Sequence, residues 1–265
     1  MHNIIAQSLL NREFEYKVAE LIRLGEIKIP SYLSLGQTHI PPVLKSVLDK
    51  LKLDPTIFPS HRNHSIYLSF TQDYLGLKNE LLGRIDGCSK GYGGSASIGA
   101  DKLVSHDGFL GSNIPIGVGF AQASNKLTVV CAGDAAFEED YALGALSFAG
   151  THRPPVLFIC FDNDLSILSP KFVRRSWNLV RVAQSFGLSA EDISDKVEDL
   201  EFSFRKTVKK LPYLLNIRCK RSVWHVGGNL EEGPDYPSEL VNKYQFPQEK
   251  VQQIKDYIGE LFKPA

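Results

Sequence analysis

The chain contains 265 residues, and its 30 lysines and arginines are balanced by 30 aspartates and glutamates. A formal net charge of zero provides no electrostatic attraction toward nucleic acid or an anionic membrane. With 43% hydrophobic residues the chain can bury a sizeable core, which excludes a disordered or fibrous protein. No stretch approaches the roughly 18 apolar residues of a membrane span, and no signal peptide is visible at the N-terminus. We therefore expect a soluble, cytoplasmic globular protein.

The cysteines indicate the redox environment. All four lie far apart and form no C-x-x-C pair: Cys88, Cys131, Cys160 and Cys219. Two of them fall inside apolar runs, so we predict buried thiols in a reducing compartment rather than a disulfide framework or a zinc site.

The first third of the chain is predicted to be mainly helical. Apolar side chains recur at helical spacing over 12–24, which ends before Gly25, and again over 44–51. The polar, histidine-rich stretch 58–65 has no periodicity and predicts a loop of the kind that carries sites. Residues 74–85 return to a helical pattern.

A glycine-rich segment follows. Nine glycines fall within the 33 residues from Gly87 to Gly119. Because glycine has no Cβ, this density predicts positive φ angles or close backbone contacts. A flexible linker is the alternative.

The rest of the chain alternates between strands and helices. Short apolar runs predict buried parallel strands over 127–132, 156–161 and 213–219. Amphipathic helices are predicted between them and over 251–261. This order predicts an α/β fold, a parallel sheet with helices on both faces and right-handed crossovers. We expect a single domain over 1–265 with helical N- and C-terminal flanks.

Polar residues follow two of the predicted strands. Asp134 ends one strand, and Asn163, 29 residues later, follows the next. Ligands bind at the carboxyl ends of parallel strands, and Mg²⁺ prefers oxygen ligands completed by phosphate oxygens. Ala135 and Ala136 are expected to open the following helix, where their amides would face the same anion. The alternative is that Asp134 is a helix N-cap and Asn163 a turn residue.

This pattern resembles the thiamine-diphosphate-binding motif. Four further motifs resemble those of the alpha subunits of the 2-oxo acid dehydrogenases (pyruvate, branched-chain and acetoin types) and occur in the family's order: Gly36-Gln37, Arg62-Asn63-His64, Gly91-Tyr92-Gly93-Gly94-Ser95 and the stretch 108–119. The resemblance covers about residues 12 to 235. It implies an oxidoreductase subunit with the diphosphate-binding domain of that fold.

The resemblance also implies roles for individual residues. Asp134, Asn163 and the backbone carbonyl of Leu165 would coordinate Mg²⁺. The residues that would bind thiamine diphosphate, including the two whose amides open the helix, are His61, Arg62, Gly108, Leu110, Asp134, Ala135, Ala136 and Asn163. His64 and His225 are the candidate catalytic residues, since a histidine near the reacting centre can move a proton. For His64, an exposed loop histidine is the alternative.

Several residues depart from the family pattern, including His61 and Leu165, which stand where the family usually has tyrosine. Ala135 replaces a glycine, Glu138 an asparagine and Thr38 a glutamate. The Glu138 carboxylate is expected to interact favourably with the positive end of the helix dipole but to repel a diphosphate. The segment after Ser169 is short and basic, and it lacks the long serine-bearing loop through which kinases regulate some relatives, so we do not expect that regulation.

Finally, the resemblance implies a partner. The glutamate that activates the cofactor belongs to a pyrimidine-binding domain, for which this chain has no second series of strands and helices. We therefore expect a separate beta-type subunit in an α₂β₂ assembly that decarboxylates a 2-oxo acid or transfers its acyl group. The alternatives are half of a split transketolase and a non-catalytic scaffold subunit that binds the cofactor. A nicotinamide enzyme is not expected, because no G-x-G-x-x-G follows a first strand.

Overall fold

A computed structural model describes residues 1–263. The α-helices are α1 (His2–Arg23), α2 (Ile40–Lys50), α3 (His64–Thr71), α4 (Tyr74–Leu81), α5 (Asn113–Ser124), α6 (Asp140–His152), α7 (Lys171–Arg174), α8 (Leu179–Ser185), α9 (Val197–Thr207), α10 (Tyr236–Lys243) and α11 (Gln248–Leu261). The strands are β1 (Thr56–Phe58), β2 (Thr128–Gly133), β3 (Val156–Asp162), β4 (Leu165–Ser166), β5 (Ser169–Pro170), β6 (Ser189–Ser194) and β7 (Tyr213–Arg218). A 3₁₀-helix covers Asp134–Glu138.

Five strands form one parallel sheet in the order β1-β2-β3-β7-β6. Every residue of β3, and nearly every residue of β2 and β7, is buried. Strands covered on both faces read as continuous apolar runs, which is why the sequence revealed these three. The predicted parallel α/β sheet is confirmed.

The chain divides into two compact units. Unit 1 contains Met1–Ser46, Arg62–Ala100 and the residues from Lys220 onward, whereas unit 2 contains Val47–His61 and Asp101–Cys219. In unit 1, α1 packs against α3, α10 and α11. Unit 2 contains the sheet.

The core of unit 2 lies where α5 and α6 pack on the sheet. Gly117 of α5 lies so close to β2 that an added Cβ would be 2.4 Å from Cγ2 of Val130. At this glycine, the predicted close backbone contact is confirmed.

Several elements differ from the sequence prediction. The edge strand β6 was missed because its sequence, Ser-Ala-Glu-Asp-Ile-Ser, has no apolar run, and β1 was missed because it has only three residues. The predicted helix over 74–85 ends at Leu81, before Gly83 with its φ of +69°. The helix expected to open at Ala135 is a 3₁₀ turn, and α6 begins only at Asp140 because Glu139 is extended.

The remaining predictions concern thiols and membranes. All four cysteines are free thiols and three of them are buried, as predicted. Burial raises the pKa of Cys131 to about 12, so this thiol stays protonated and inert at neutral pH. Within residues 1–263, no helix combines the length and the apolar character needed to cross a bilayer.

Candidate cofactor site

Asp134 and Asn163 follow neighbouring parallel strands. Gly133, at the end of β2, pairs with Phe161 of β3, so both residues lie at the carboxyl end of the sheet, as the sequence predicted. The Asp134 side chain is only 1% exposed. The N-cap of the 3₁₀-helix is Gly133, whereas the Asp134 carboxylate accepts a hydrogen bond from Arg174. The N-cap alternative for Asp134 is therefore wrong.

Asn163 forms a turn that leads into Leu165. Its Oδ1 accepts a hydrogen bond from the backbone N–H of Leu165 at 3.2 Å, and Leu165 begins the short antiparallel pair of β4 and β5. Asn163 is thus a turn residue, as its alternative proposed. An amide oxygen has two lone pairs, so this bond leaves Oδ1 a second acceptor position.

A network of ion pairs surrounds Asp134. Arg174 contacts Asp134 through Nη2 and Oε1 of Glu138 through Nη1, the latter at 2.6 Å. Arg175 Nε lies 3.3 Å from the same glutamate oxygen. Burial raises the pKa of Asp134, and the bond from Arg174 opposes that rise. Because both arginines pair with Glu138, the repulsion of an anion expected from that carboxylate is offset.

Asp162 is a second buried carboxylate at the carboxyl end of the sheet, and it was not among the residues predicted for the site. It is 6% exposed, and it receives bonds from Lys171 Nζ at 2.7 and 2.8 Å and from Asn216 Nδ2 at 3.1 Å. Burial opposes ionisation, but the bonds from Lys171 and Asn216 outweigh it and lower the pKa of Asp162. Its position at the end of a buried strand, directly before Asn163, was the available signal.

The other predicted cofactor residues of unit 2 are linked through a short loop. The His61 ring lies 6.2 Å from the His106 ring, and His106 Nδ1 accepts a hydrogen bond from Gly108 N at 3.0 Å. The Leu110 carbonyl accepts a hydrogen bond from the Tyr141 hydroxyl. His106 is buried, and it was not among the residues predicted for the site.

The same loop packs on the 3₁₀ turn. Gly111 has a φ of +79°, and a Cβ there would be 2.6 Å from the Ala136 carbonyl oxygen. Ala135 is not among the residues with positive φ, so its replacement of a glycine causes no backbone strain. The loop and the turn are therefore in close contact within unit 2.

In unit 1, Arg62 is buried and connects two loops. Its Nη1 donates to the Leu33 carbonyl, and its Nη2 donates to the His225 carbonyl at 3.1 Å. Burial, together with the positive charges of Arg62 and Arg221, lowers the pKa of His225 to about 4. The His225 imidazole is therefore neutral at pH 7 and a weaker base than an ordinary histidine.

His64 lies in the interior of unit 1. It is the first residue of α3 and is 0% exposed, so the exposed-loop alternative is wrong. Its Nδ1 lies 3.2 Å from Glu15 Oε2, and its Nε2 lies 2.9 Å from Ser95 Oγ. Both ring nitrogens are thus in hydrogen bonds with unit 1. Neither Glu15 nor its role could be found from the sequence, because α1 is distant in the chain.

The glycine motif of unit 1 wraps around a buried carboxylate. Glu80 is 0% exposed and accepts four backbone hydrogen bonds. Oε2 accepts from Ser89 N at 2.7 Å and Gly91 N at 2.9 Å, and Oε1 accepts from Gly93 N at 2.7 Å and Gly94 N at 3.1 Å. The segment 89–94 is therefore an ordered loop, and the flexible-linker alternative is wrong there.

The donor set at the strand ends fits magnesium. A carboxylate, an amide oxygen and a backbone carbonyl are the hard oxygens that Mg²⁺ takes, with phosphate oxygens completing the shell. Within residues 1–263 no group of three His, Cys, Asp or Glu side chains is arranged for a metal, so an all-protein site is not indicated there. Asp134 already pairs with a positive charge, as a metal-binding carboxylate would.

A family model described as "Dehydrogenase E1 component" matches residues 33–187. The chain belongs to this family. A pyruvate dehydrogenase E1 component alpha subunit of Rickettsia bellii is 28% identical over 95% of this chain and 80% of its own length. That of Rickettsia typhi is 30% identical over 89% of this chain and 76% of its own length. The predicted membership of the 2-oxo acid dehydrogenase alpha subunits is thereby confirmed, and with it the enzyme class.

Solved structures support the fold of this E1 chain. A transketolase of Campylobacter jejuni superposes with a TM-score of 0.62 at 17% identity, covering 97% of this chain and 47% of the transketolase. A Pichia stipitis transketolase gives a TM-score of 0.61 at 15% identity. The E1 chain spans just under half the length of the Campylobacter transketolase, and the likeness concerns the fold alone.

Proposed function

We propose that the chain is the alpha subunit of a thiamine-diphosphate-dependent enzyme that decarboxylates a 2-oxo acid or transfers its acyl group. The observation that carries this proposal is the position of Asp134 and Asn163 at neighbouring strand ends in a chain of the E1 family. Family membership favours this function over a split transketolase.

The residues of unit 2 would hold the metal and the diphosphate. Asp134, Asn163 and the Leu165 carbonyl would bind Mg²⁺, and the amides of Ala135 and Ala136 would face the phosphates. His61, Gly108 and Leu110 of the same unit would make further contacts with the cofactor. Thiamine diphosphate, when bound, supplies the electron sink for decarboxylation.

The residues of unit 1 would bind and move charge. The Arg62 guanidinium suits phosphate oxygens because its planar fork donates two parallel bonds. His225, the second candidate catalytic histidine, is neutral at pH 7 and would form hydrogen bonds to the reacting groups through its imidazole nitrogens. His64 would keep its neighbours in place, since Glu15 and Ser95 fix both of its ring nitrogens.

Activity would require a separate beta-type subunit that supplies the pyrimidine-binding domain and the activating glutamate, in an α₂β₂ assembly. The test is decarboxylation of pyruvate and of branched-chain 2-oxo acids by the chain alone and by the chain with a co-expressed beta subunit. Turnover only in the complex supports the proposal. Robust turnover by the chain alone contradicts the need for a partner, and turnover of a ketose phosphate instead would favour the transketolase alternative.

The cofactor assignment is tested by calorimetry with thiamine diphosphate and Mg²⁺. We expect Asp134→Ala to abolish Mg²⁺-dependent binding, while Asp256→Ala, at an exposed aspartate of α11, serves as the matched control with near-normal binding. Arg62→Ala should weaken binding about ten- to hundredfold, because a charged hydrogen bond contributes about 1.5–3 kcal/mol. Unchanged affinity in Asp134→Ala would refute the metal assignment. Normal cofactor binding without turnover in the assembled complex would instead favour a scaffold subunit.

A further inference from the structure

Arg174 bridges two carboxylates at the proposed metal site. One terminal nitrogen contacts the buried Asp134, and the other lies 2.6 Å from Glu138 Oε1. The guanidinium is itself largely buried, with 13% of the side chain exposed. We propose that Arg174 is a built-in counter-cation that competes with the divalent metal for Asp134, and that Glu138 retains the arginine when the metal binds. This inference rests on the proposed metal role of Asp134.

Electrostatics explains why the two cations exclude each other. A carboxylate that is 1% exposed is costly without an opposite charge, and Arg174 supplies such a charge. A divalent ion bound to the same carboxylate would be repelled by the guanidinium, and charges that are partly buried are only weakly screened. Metal binding would therefore favour the release of Asp134 by Arg174.

Glu138 gives the arginine a second position. It already accepts the other half of the Arg174 fork, so the guanidinium can release Asp134 without losing every anionic partner. Arg175 pairs with the same glutamate and stacks over the Trp177 ring, with its guanidinium carbon 4.4 Å from the centroid. The departure of Glu138 from the family's asparagine and the basic segment at 171–175 thus have one explanation.

The present arrangement is also incompletely satisfied. Within residues 1–263, buried guanidinium nitrogens without a hydrogen bond include Nε of Arg174 and Nη1 of Arg175, whereas Nε of Arg175 keeps its 3.3 Å ion pair with Glu138. A buried donor without an acceptor costs free energy, so the present pairing leaves part of both guanidinium groups unsatisfied. This pairing is therefore weaker than a fully hydrogen-bonded one, which is consistent with competition for Asp134.

The proposal predicts opposite effects for the two partners of the bridge. Arg174→Gln removes the competing cation and should tighten metal binding about tenfold, within the usual range of coupling between two sites. Glu138→Gln removes the position that retains the arginine and should weaken metal binding. In the double variant, metal affinity should equal that of Arg174→Gln, because Glu138 acts through the arginine.

The experiment uses the full chain with thiamine diphosphate and counts free Mn²⁺ by electron paramagnetic resonance. Arg181→Gln, which neutralises an exposed arginine of α8, is the matched control and should leave Mn²⁺ affinity unchanged. If Arg174→Gln fails to fold by circular dichroism, Glu138→Gln decides the question, since its side chain is more exposed.

Two outcomes overturn the inference: unchanged or weaker Mn²⁺ binding in Arg174→Gln, or unchanged or tighter binding in Glu138→Gln. Asp134→Asn separates this inference from the proposed function. If Asp134→Asn abolishes Mn²⁺ binding while Arg174→Gln does not tighten it, only the competition fails. If Asp134→Asn binds Mn²⁺ normally, the metal assignment fails and the competition with it.

Discussion

Replacing Glu80 by glutamine tests whether this carboxylate organises the glycine motif of unit 1. The carboxylate accepts four backbone hydrogen bonds, two at each oxygen. Glutamine keeps one neutral acceptor oxygen, while its NH₂ group meets two backbone N–H groups that both need an acceptor. Two buried donors without acceptors cost about 1–3 kcal/mol each, and the bonds that remain lose their charge-assisted strength.

The expected loss of unfolding free energy is about 3–5 kcal/mol, because the loop can relax and recover part of the larger sum. This is a large fraction of the roughly 5–15 kcal/mol by which domains are stable. Urea denaturation followed by circular dichroism measures the change, and hydrogen exchange should accelerate at the amides of Ser89, Gly91, Gly93 and Gly94. Glu20→Gln, on the exposed face of α1, is the matched control and should cost less than about 0.5 kcal/mol. A loss below about 1 kcal/mol in Glu80→Gln, or unchanged exchange at the four amides, would refute the role of Glu80.

Three further predictions follow from the structure. Because the folded-state pKa of His225 is about 4 and its ordinary value 6.5, the unfolded chain binds the proton first; stability present above pH 6.5 should fall as the pH drops toward 4. The imidazole is half-buried, so the loss should be about 1–2 kcal/mol, and chemical denaturation of His225→Gln across this range should lack it. Gly111→Ala should destabilise the folded chain by about 2 kcal/mol or more in thermal melts. Its positive φ disfavours any side chain, and an added Cβ would lie 2.6 Å from the Ala136 carbonyl oxygen. In the control Gly119→Ala, the added Cβ on α5 meets no neighbouring atom, so the change should be neutral or stabilising by up to about 1 kcal/mol. Asn113→Leu should lower the free energy of unfolding, measured by urea denaturation, by about 2–4 kcal/mol. The buried Nδ2 donates hydrogen bonds to the carbonyls of Phe58, Pro59 and Cys131, which would lose this donor. A loss below about 1 kcal/mol would show that these carbonyls find other donors.

The ion pairs change how the departures from the family pattern are understood. Ala135 lies in ordinary backbone conformation, so it does not by itself weaken the site. Glu138 is paired with Arg174 and Arg175, so its negative charge is not left to repel a diphosphate. Glu138 and the basic segment at 171–175 are joined by ion pairs, although Glu138 and Arg174 are more than thirty positions apart in the chain.

The sequence by itself determined the parallel sheet and the two residues at its edge. The strands β2, β3 and β7 are continuous apolar runs because both faces of an interior parallel strand are covered. This pattern can be recognised from the sequence alone. Strand adjacency then follows from the short crossover, which brings Asp134 and Asn163 to neighbouring strand ends. The edge strand β6 left no such pattern, since its residues are mostly polar and only partly buried.

The partners of each site residue were decided only by the tertiary structure. His64 lies against Glu15, and Asp134 lies against Arg174, although nothing in local spacing links either pair. Hydrogen bonds and ion pairs depend on distances of about 3 Å between side chains that are distant in the chain, whereas periodicity reports only which face of an element is buried. The sequence pattern can therefore predict where a strand ends and which carboxylate follows it. The positively charged residue that pairs with that carboxylate is known only from the folded structure.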